Sequence, residues 1–402
     1  MHASLDQPGS GQLLAEFYRA SLLDDCIPFW MRNAIDVEHG GYLTALDREG
    51  QVIDTDKSVW HQGRFCWMLG ELFNNVEPRE DWLRAAESGG RFLQQHCFDA
   101  EDGRMWFQVT RAGRPLRKRR YSFSESFASI AFGELAQATG NETYAQLAAE
   151  CFERFRQHVP AAKFTDERPV RGIGHPMICI GTAQELRESI GLAAADRIID
   201  ESVATIRDLH MKPEMSVVLE TVGMQGEMVD HFDGRLLNPG HAIEAAWFIL
   251  REAAWRGNDS ELLKLGLQIL DWMWDWGWDS QYGGIIYFRD LKGYPPQEYW
   301  HDMKFWWPQN EAIIATVYAW LLTGDTKYAR WHQQAHDWAH QHFADGEHGE
   351  WFGYLHRDGR LSHSAKGNMW KGPFHLPRMQ LVCWKLLASG LSASRRESEQ
   401  EG

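Results

Sequence analysis

Residues 348–361 read HGEWFGYLHRDGRL, and three other stretches repeat the pattern: His39–Val52 (HGGYLTALDREGQV), Asp102–Leu116 (DGRMWFQVTRAGRPL) and Tyr282–Tyr294 (YGGIIYFRDLKGY). Each has Gly near its start, then an aromatic-rich alternating run, then a charged turn with Gly. Alternation followed by a Gly turn predicts a short β-hairpin. Two weaker relatives, near 163–174 and 215–227, bring the set to six, recurring roughly every 50 to 66 residues.

Between the hairpins lie pairs of segments with helical periodicity. The first of each pair covers about 10–33, 79–97, 142–158, 193–210, 259–277 and 325–343. The second covers about 57–76, 122–140, 176–191, 239–257, 306–324 and 375–391. Asn141 and Asn258-Asp-Ser offer capping side chains, and Gly140 and Gly257 suit helix ends. Pro308 and Pro377 fit first turns. The first set is the more charged, as in ETYAQLAAECFERFRQH (142–158). The second is apolar or small nearly all round, as expected of helices buried on both sides. Six helical hairpins in series predict an all-α (α/α)6 barrel, a toroid with the short β-hairpins in the loops at one mouth. No Pro-, Gly- or Ser-rich linker divides the chain. Residues 1–391 therefore read as one domain and 392–402 as a disordered tail.

The 402 residues are 44% hydrophobic, enough for a large core, and carry a formal net charge of −15. Such a surface is a poor partner for nucleic acid. The basic run RPLRKRR (114–120) reads as a solvated hairpin end. No apolar stretch is long enough to span a membrane, and MHASLDQPGSGQLL has no secretory pattern. The six cysteines are scattered without a CxxC pair. That fits a reducing cytoplasm and argues against a zinc site or a disulfide framework. The 20 tryptophans supply core, and also flat faces of the kind that suit sugar rings.

The residues a core would not choose fall at the starts of the six second-set helices. They are His61-Gln-Gly-Arg64, Ser122-Phe-Ser-Glu125, His175-Pro-Met, Asn238 to Glu244 (NPGHAIE), Trp306-Trp307-Pro-Gln-Asn-Glu311 and Lys371 to Arg378 (KGPFHLPR). In a closed toroid these N-termini converge on one mouth, where helix dipoles favour negative charge. His241 and Glu244 are three apart on one helix face, and His375 and Arg378 repeat that spacing. A His beside a carboxylate gains a fixed tautomer and a higher pKa; a His beside Arg is held neutral. Two such histidines make an acid and a base. The plainer reading is two satisfied core histidines. Zinc held by His61, His175, His241 and His375 is a rival, but no HExxH spacing supports it and no metal is expected. Hydrolase, P-loop and dinucleotide fingerprints are also missing.

Over nearly its whole length the chain resembles the N-acylglucosamine 2-epimerase family, also called renin-binding protein in animals. The stretches that carry the resemblance are WHQGRFCWML, FSESF, NPGHAIEAAWFILR, KFWWPQNEA, GEWFGYLHRDGR and KGPFHLPR. The resemblance implies an (α/α)6 barrel that interconverts N-acetylglucosamine and N-acetylmannosamine. It implies catalytic roles for Arg64, His241, Glu244 and His375, and pocket positions for Glu220, Trp306, Trp307 and Glu311. His175 departs from the animal pattern. Animal members use ATP as an activator without consuming it, but no nucleotide motif supports that here.

The chemistry expected is ring opening, removal of the C2 proton beside the new aldehyde, and its return to the other face. It needs no cofactor. His375 is read as base, His241 as acid oriented by Glu244, and Arg64 as the cation for the oxyanion. His61, Glu125, His175, Asn238 and Arg378 complete the substrate-binding candidates. Trp306, Trp307, Trp351 and Tyr354 are read as aromatic walls. A cytoplasmic homodimer acting on a small sugar is expected. A neutral-sugar 2-epimerase or a mannose–fructose isomerase would use the same enolisation. A glycoside hydrolase would need two free carboxylates among Glu125, Glu220, Glu244 and Glu311. A non-enzymatic protein-binding role is the remaining rival.

Overall fold

The computed structural model describes residues 4–158 and 170–389, so the tail expected at 392–402 and most of the weak 163–174 hairpin lie outside the described residues. Six inner helices are α3 (Val59–Asn75), α5 (Phe123–Thr139), α7 (Gly174–Ile190), α9 (Pro239–Trp255), α11 (Trp306–Thr323) and α13 (His375–Ser389). The outer ring is α1 (Ser10–Ala20) with α2 (Ile27–Asn33), then α4 (Glu80–His96), α6 (Glu142–Gln157), α8 (Ala195–Thr205), α10 (Ser260–Gly277) and α12 (Thr326–Phe343). A π-helical turn at Ser21–Cys26 joins α1 to α2, so the segment expected at 10–33 is one helix with an internal bulge. Each inner helix packs on the next, and α1 packs on α13. The ring closes through side chains: the Phe374 ring lies 5.4 Å from Trp67, and Lys385 donates to the Asn75 carbonyl at 3.0 Å. The chain is an (α/α)6 barrel.

Local chemistry explains the helix ends. Asn141 accepts the Thr143 N–H at the start of α6. At the start of α10 the cap is Asp259, which takes the N–H groups of Glu261 and Leu262. Asn258 instead turns the chain with φ +66°. Gly63 marks a close approach of α3 and α5: a Cβ there would sit 2.6 Å from the Phe127 carbonyl carbon. That contact fixes the height of Arg64, the next residue.

Three of the four strong hairpins close locally: Ala45–Leu46 with Val52–Asp54, Gln108–Val109 with Pro115–Arg117, and Leu355 with Leu361, where the His356 N–H donates to the Arg360 carbonyl at 2.8 Å. The fourth pairs elsewhere, Arg289–Asp290 with Leu236–Leu237. Tyr354–Leu355 also pairs with Lys304–Phe305. In the same way Lys57–Ser58 pairs with Gln108–Val109. In each case a two-residue strand just before an inner helix pairs with the strand of the next loop. The loops are thereby stitched around the mouth. Near 215–227, Thr221–Gly223 pairs with Val170–Gly172 and Val217–Val218 with Met211–Lys212, so no hairpin closes within that stretch.

A second repeat was not visible in the hairpin motif. Buried Lys57, Lys304 and Lys366 meet Asp36, Asp279 and Asp345 at 2.9, 3.1 and 3.0 Å. Each also donates to a Gly carbonyl four residues after its Asp, at Gly40, Gly283 and Gly349. A buried lysine must be paired and fully hydrogen-bonded, so these contacts lock the end of an outer helix to a mouth loop. The RPLRKRR run lies on the local hairpin, as expected; its Lys118 bonds Asp99 and Asp102.

Candidate active site

A cavity of about 1050 Å³ runs along the inner helices, from Arg64, His241, Glu244, Trp307, His375 and Arg378 in and near their first turns to Asn75, Glu188 and Lys385 near their other ends. His241 is positioned by Asn238, which caps α9 by accepting the His241 N–H at 3.2 Å. Gly240 leaves room for Trp307, whose ring a Cβ would meet at 2.6 Å. The Trp307 ring centroid lies 5.1 Å from that of His241 and 5.7 Å from that of His375, so one indole touches both histidines.

The two imidazoles have opposed surroundings. His241 Nδ1 lies 3.0 and 3.1 Å from the two oxygens of Glu220. Burial alone would lower its pKa, but the charge and hydrogen bond of Glu220, with Glu244 and Glu311 beyond, raise it above the ordinary value. His375 Nδ1 lies 2.7 Å from Glu311 Oε1. Its pKa is nevertheless held well below the ordinary value, by burial first and then by Arg64 and Arg378. Glu311 cannot reverse this because its charge is shared: Arg378 donates to Oε1 at 2.7 Å and Trp247 Nε1 to Oε2 at 2.7 Å. In both rings Nδ1 is engaged by a carboxylate, which leaves Nε2 for a ligand.

Glu244 does not orient His241, as the three-residue spacing had suggested. Its Oε1 accepts from Arg378 at 2.6 Å, across the barrel. Glu220, held between the strands Val217–Val218 and Thr221–Gly223, takes that place. Arg378 therefore joins the two carboxylates Glu244 and Glu311. With Glu220 on His241 and Glu125 on Arg104, each of the four carboxylates considered for a hydrolase already has a partner. A metal ion at Glu244, Glu311 and His375 would have to displace the guanidinium.

Arg64 is 8% exposed, and its Nε has no hydrogen-bond partner. It packs against the rings of Phe127 (4.0 Å), Phe374 (4.6 Å) and Trp60 (5.4 Å). Burial lowers its pKa to about 9, with Glu244 opposing and Arg378 reinforcing, and it stays charged at neutral pH.

Several expected site residues lie elsewhere. Glu125 is fully buried and holds a loop, accepting from Arg104 at 3.2 Å and the Met105 N–H at 2.9 Å. His175 turns to the outer ring and stacks on Phe155 at 4.8 Å. Trp351 stacks on Phe343, the last residue of α12, and is not among the residues lining the cavity. His61 is buried behind the cavity wall, against the Gly372 backbone. Asn238 acts through His241. Trp306 and Tyr354 do line the cavity. Sequence reasoning missed Trp247, Phe127 and Phe374. The first stands three residues after Glu244, on the face already singled out, and the last immediately precedes His375.

The N-acylglucosamine 2-epimerase family profile matches residues 41–375. The N-acylglucosamine 2-epimerase of Bos taurus is 36% identical over 390 residues, covering 92% of this chain and 90% of its own. This chain belongs to the N-acylglucosamine 2-epimerase family. It is an enzyme of the isomerase class. More distant structures share the fold: cellobiose 2-epimerase from Spirochaeta thermophila (20% identity, TM-score 0.81, 95% of this chain and 98% of that one). A D-mannose isomerase matches with 16% identity, TM-score 0.79, and 95% and 99% coverage. No helix among the described residues is long and apolar enough to cross a membrane.

Proposed function

We propose that the enzyme interconverts N-acetylglucosamine and N-acetylmannosamine by moving the C2 proton of the open-chain sugar between two histidines. The observation that carries this is the opposed pair, His375 held neutral and His241 held toward its charged form, in contact with one indole. In the direction first considered, His375 Nε2 takes the C2 proton. The C–H electrons form a C1=C2 double bond, and O1 takes the negative charge, which Arg64 stabilises. His241 Nε2 then gives its proton to C2 on the opposite face, and the C1 carbonyl re-forms. In the reverse direction the roles exchange. The oxidation level never changes, so the reaction needs no redox cofactor. Each correctly poised acid or base contributes about 10²–10⁴ in rate.

The cattle relative supports the N-acyl substrate. Proton NMR of the enzyme with N-acetylglucosamine, mannose and glucose tests the reading. Appearance of N-acetylmannosamine is expected. Turnover of mannose to fructose, with N-acetylglucosamine untouched, would replace it.

A further inference from the structure

The cations near the reacting end are not equivalent. Arg378 has Glu244 and Glu311, and Lys371 has Glu350 at 2.8 Å. His241 has Glu220. Each of these carboxylates is thereby matched. Of the described arginines and lysines that line the cavity, Arg64 is the one with no carboxylate in contact, and its charge is buried among Phe127, Phe374 and Trp60. A buried charge left without a partner is costly, and that cost is recovered when an anion arrives. The three rings attract the charge through their faces but offer no oxygen acceptor to the guanidinium N–H groups, and its Nε has no hydrogen-bond partner. A planar carboxylate matches that fork.

We propose that Arg64 makes this pocket an anion site that takes the C1 carboxylate of open-chain 2-acylamino-aldonic acids, which bind as competitive ligands in place of the sugar. The shape of the rest of the ligand rests on the epimerase reading above. A C1 carboxylate is planar and carries its negative charge on oxygen at C1, the position at which the enolate carries its charge on O1. Ligands that resemble a transition state bind more tightly than those that resemble the substrate. The matching alditol has the same chain and hydroxyls but no charge. The net charge of −15 disfavours adventitious capture of anions on the surface, so a preference for the acid reports on the pocket.

The test is calorimetric binding of 2-acetamido-2-deoxy-D-gluconate and of 2-acetamido-2-deoxy-D-glucitol to the wild-type enzyme and to Arg64→Gln. The acid is expected to bind the wild type at least about tenfold more tightly than the alditol, to be displaced by N-acetylglucosamine, and to lose its advantage in Arg64→Gln. Equal binding of acid and alditol to the wild type would overturn the proposal, as would an advantage that survives Arg64→Gln or an acid that N-acetylglucosamine does not displace. Should Arg64→Gln fail to fold, the wild-type comparison and the displacement still decide. An enzyme that epimerises but shows no preference for the acid overturns this inference alone. An enzyme that prefers the acid but turns over no N-acyl sugar overturns the epimerase reading alone.

Discussion

Glu220 Oε1 lies 3.0 Å from His241 Nδ1, although the two residues come from different elements and are separated by 21 positions. This contact makes Glu220 the group that sets the tautomer of His241 and raises its pKa. Glu244, one helical turn from His241, is spent on Arg378.

Replacing Glu220 with Gln should therefore lower the pKa of His241 and leave the fold intact. At neutral pH less of the acid is protonated, so kcat/KM should fall by about tenfold. The alkaline limb of its pH profile should move to lower pH. A rate loss with an unmoved limb would assign Glu220 a merely structural role.

The wild-type profile itself should be a bell with widely separated limbs. Activity falls as pH drops through the lowered pKa of His375, because the base becomes protonated. It falls as pH rises through the raised pKa of His241, because the acid loses its proton. The two limbs should lie on opposite sides of the ordinary histidine value of about 6.5. Measuring kcat/KM against pH checks this; two limbs both above that value would contradict it.

Stability should weaken in mild acid for a different reason. Tyr18 Oη bonds His332 and His336 inside the outer ring, at 3.0 and 2.7 Å. Burial depresses His332 to about 3 and His340 to about 4. The unfolded chain binds these protons near pH 6.5 and the folded one does not. Stability contributed by each neutral ring is thus complete above about 6.5 and declines as pH falls toward its folded value, by about 1.4 kcal/mol per pH unit. Urea midpoints between pH 7 and pH 4.5 should show the decline, and His332→Phe should flatten it.

Much of this was legible in the chain because it is local. Helix phase, the inner and outer assignment and the mouth-facing starts follow from periodicity. What failed was long-range or angular. The strand at Arg289–Asp290 has its partner more than 50 positions away, at Leu236–Leu237, so a local hairpin was the wrong expectation. The Lys304–Asp279 pairing, across 25 positions, is also non-local. His61 and His175 begin inner helices, but each is one residue from a cavity-lining neighbour, Trp60 or Gly174. A step of about 100° per residue turns such side chains off the axis. Glu125 is two residues from Phe123 and faces nearly the opposite way. Trp351 and Tyr354 differ in parity along an alternating run, so only the second reaches the cavity. Arg64, His241 and His375 line the cavity, as the phase of their helices allowed; the catalytic roles given to them come from the family resemblance and the proposed chemistry.

The most direct test of the two-histidine account is C2–H exchange in D2O by His375→Asn and His241→Asn, followed separately on N-acetylglucosamine and N-acetylmannosamine. Each variant should lose interconversion by about 10² or more, yet still exchange the C2 proton of one epimer without inverting it, and the two variants should choose different epimers. Near-normal interconversion by either variant, or exchange of the same epimer by both, would contradict it.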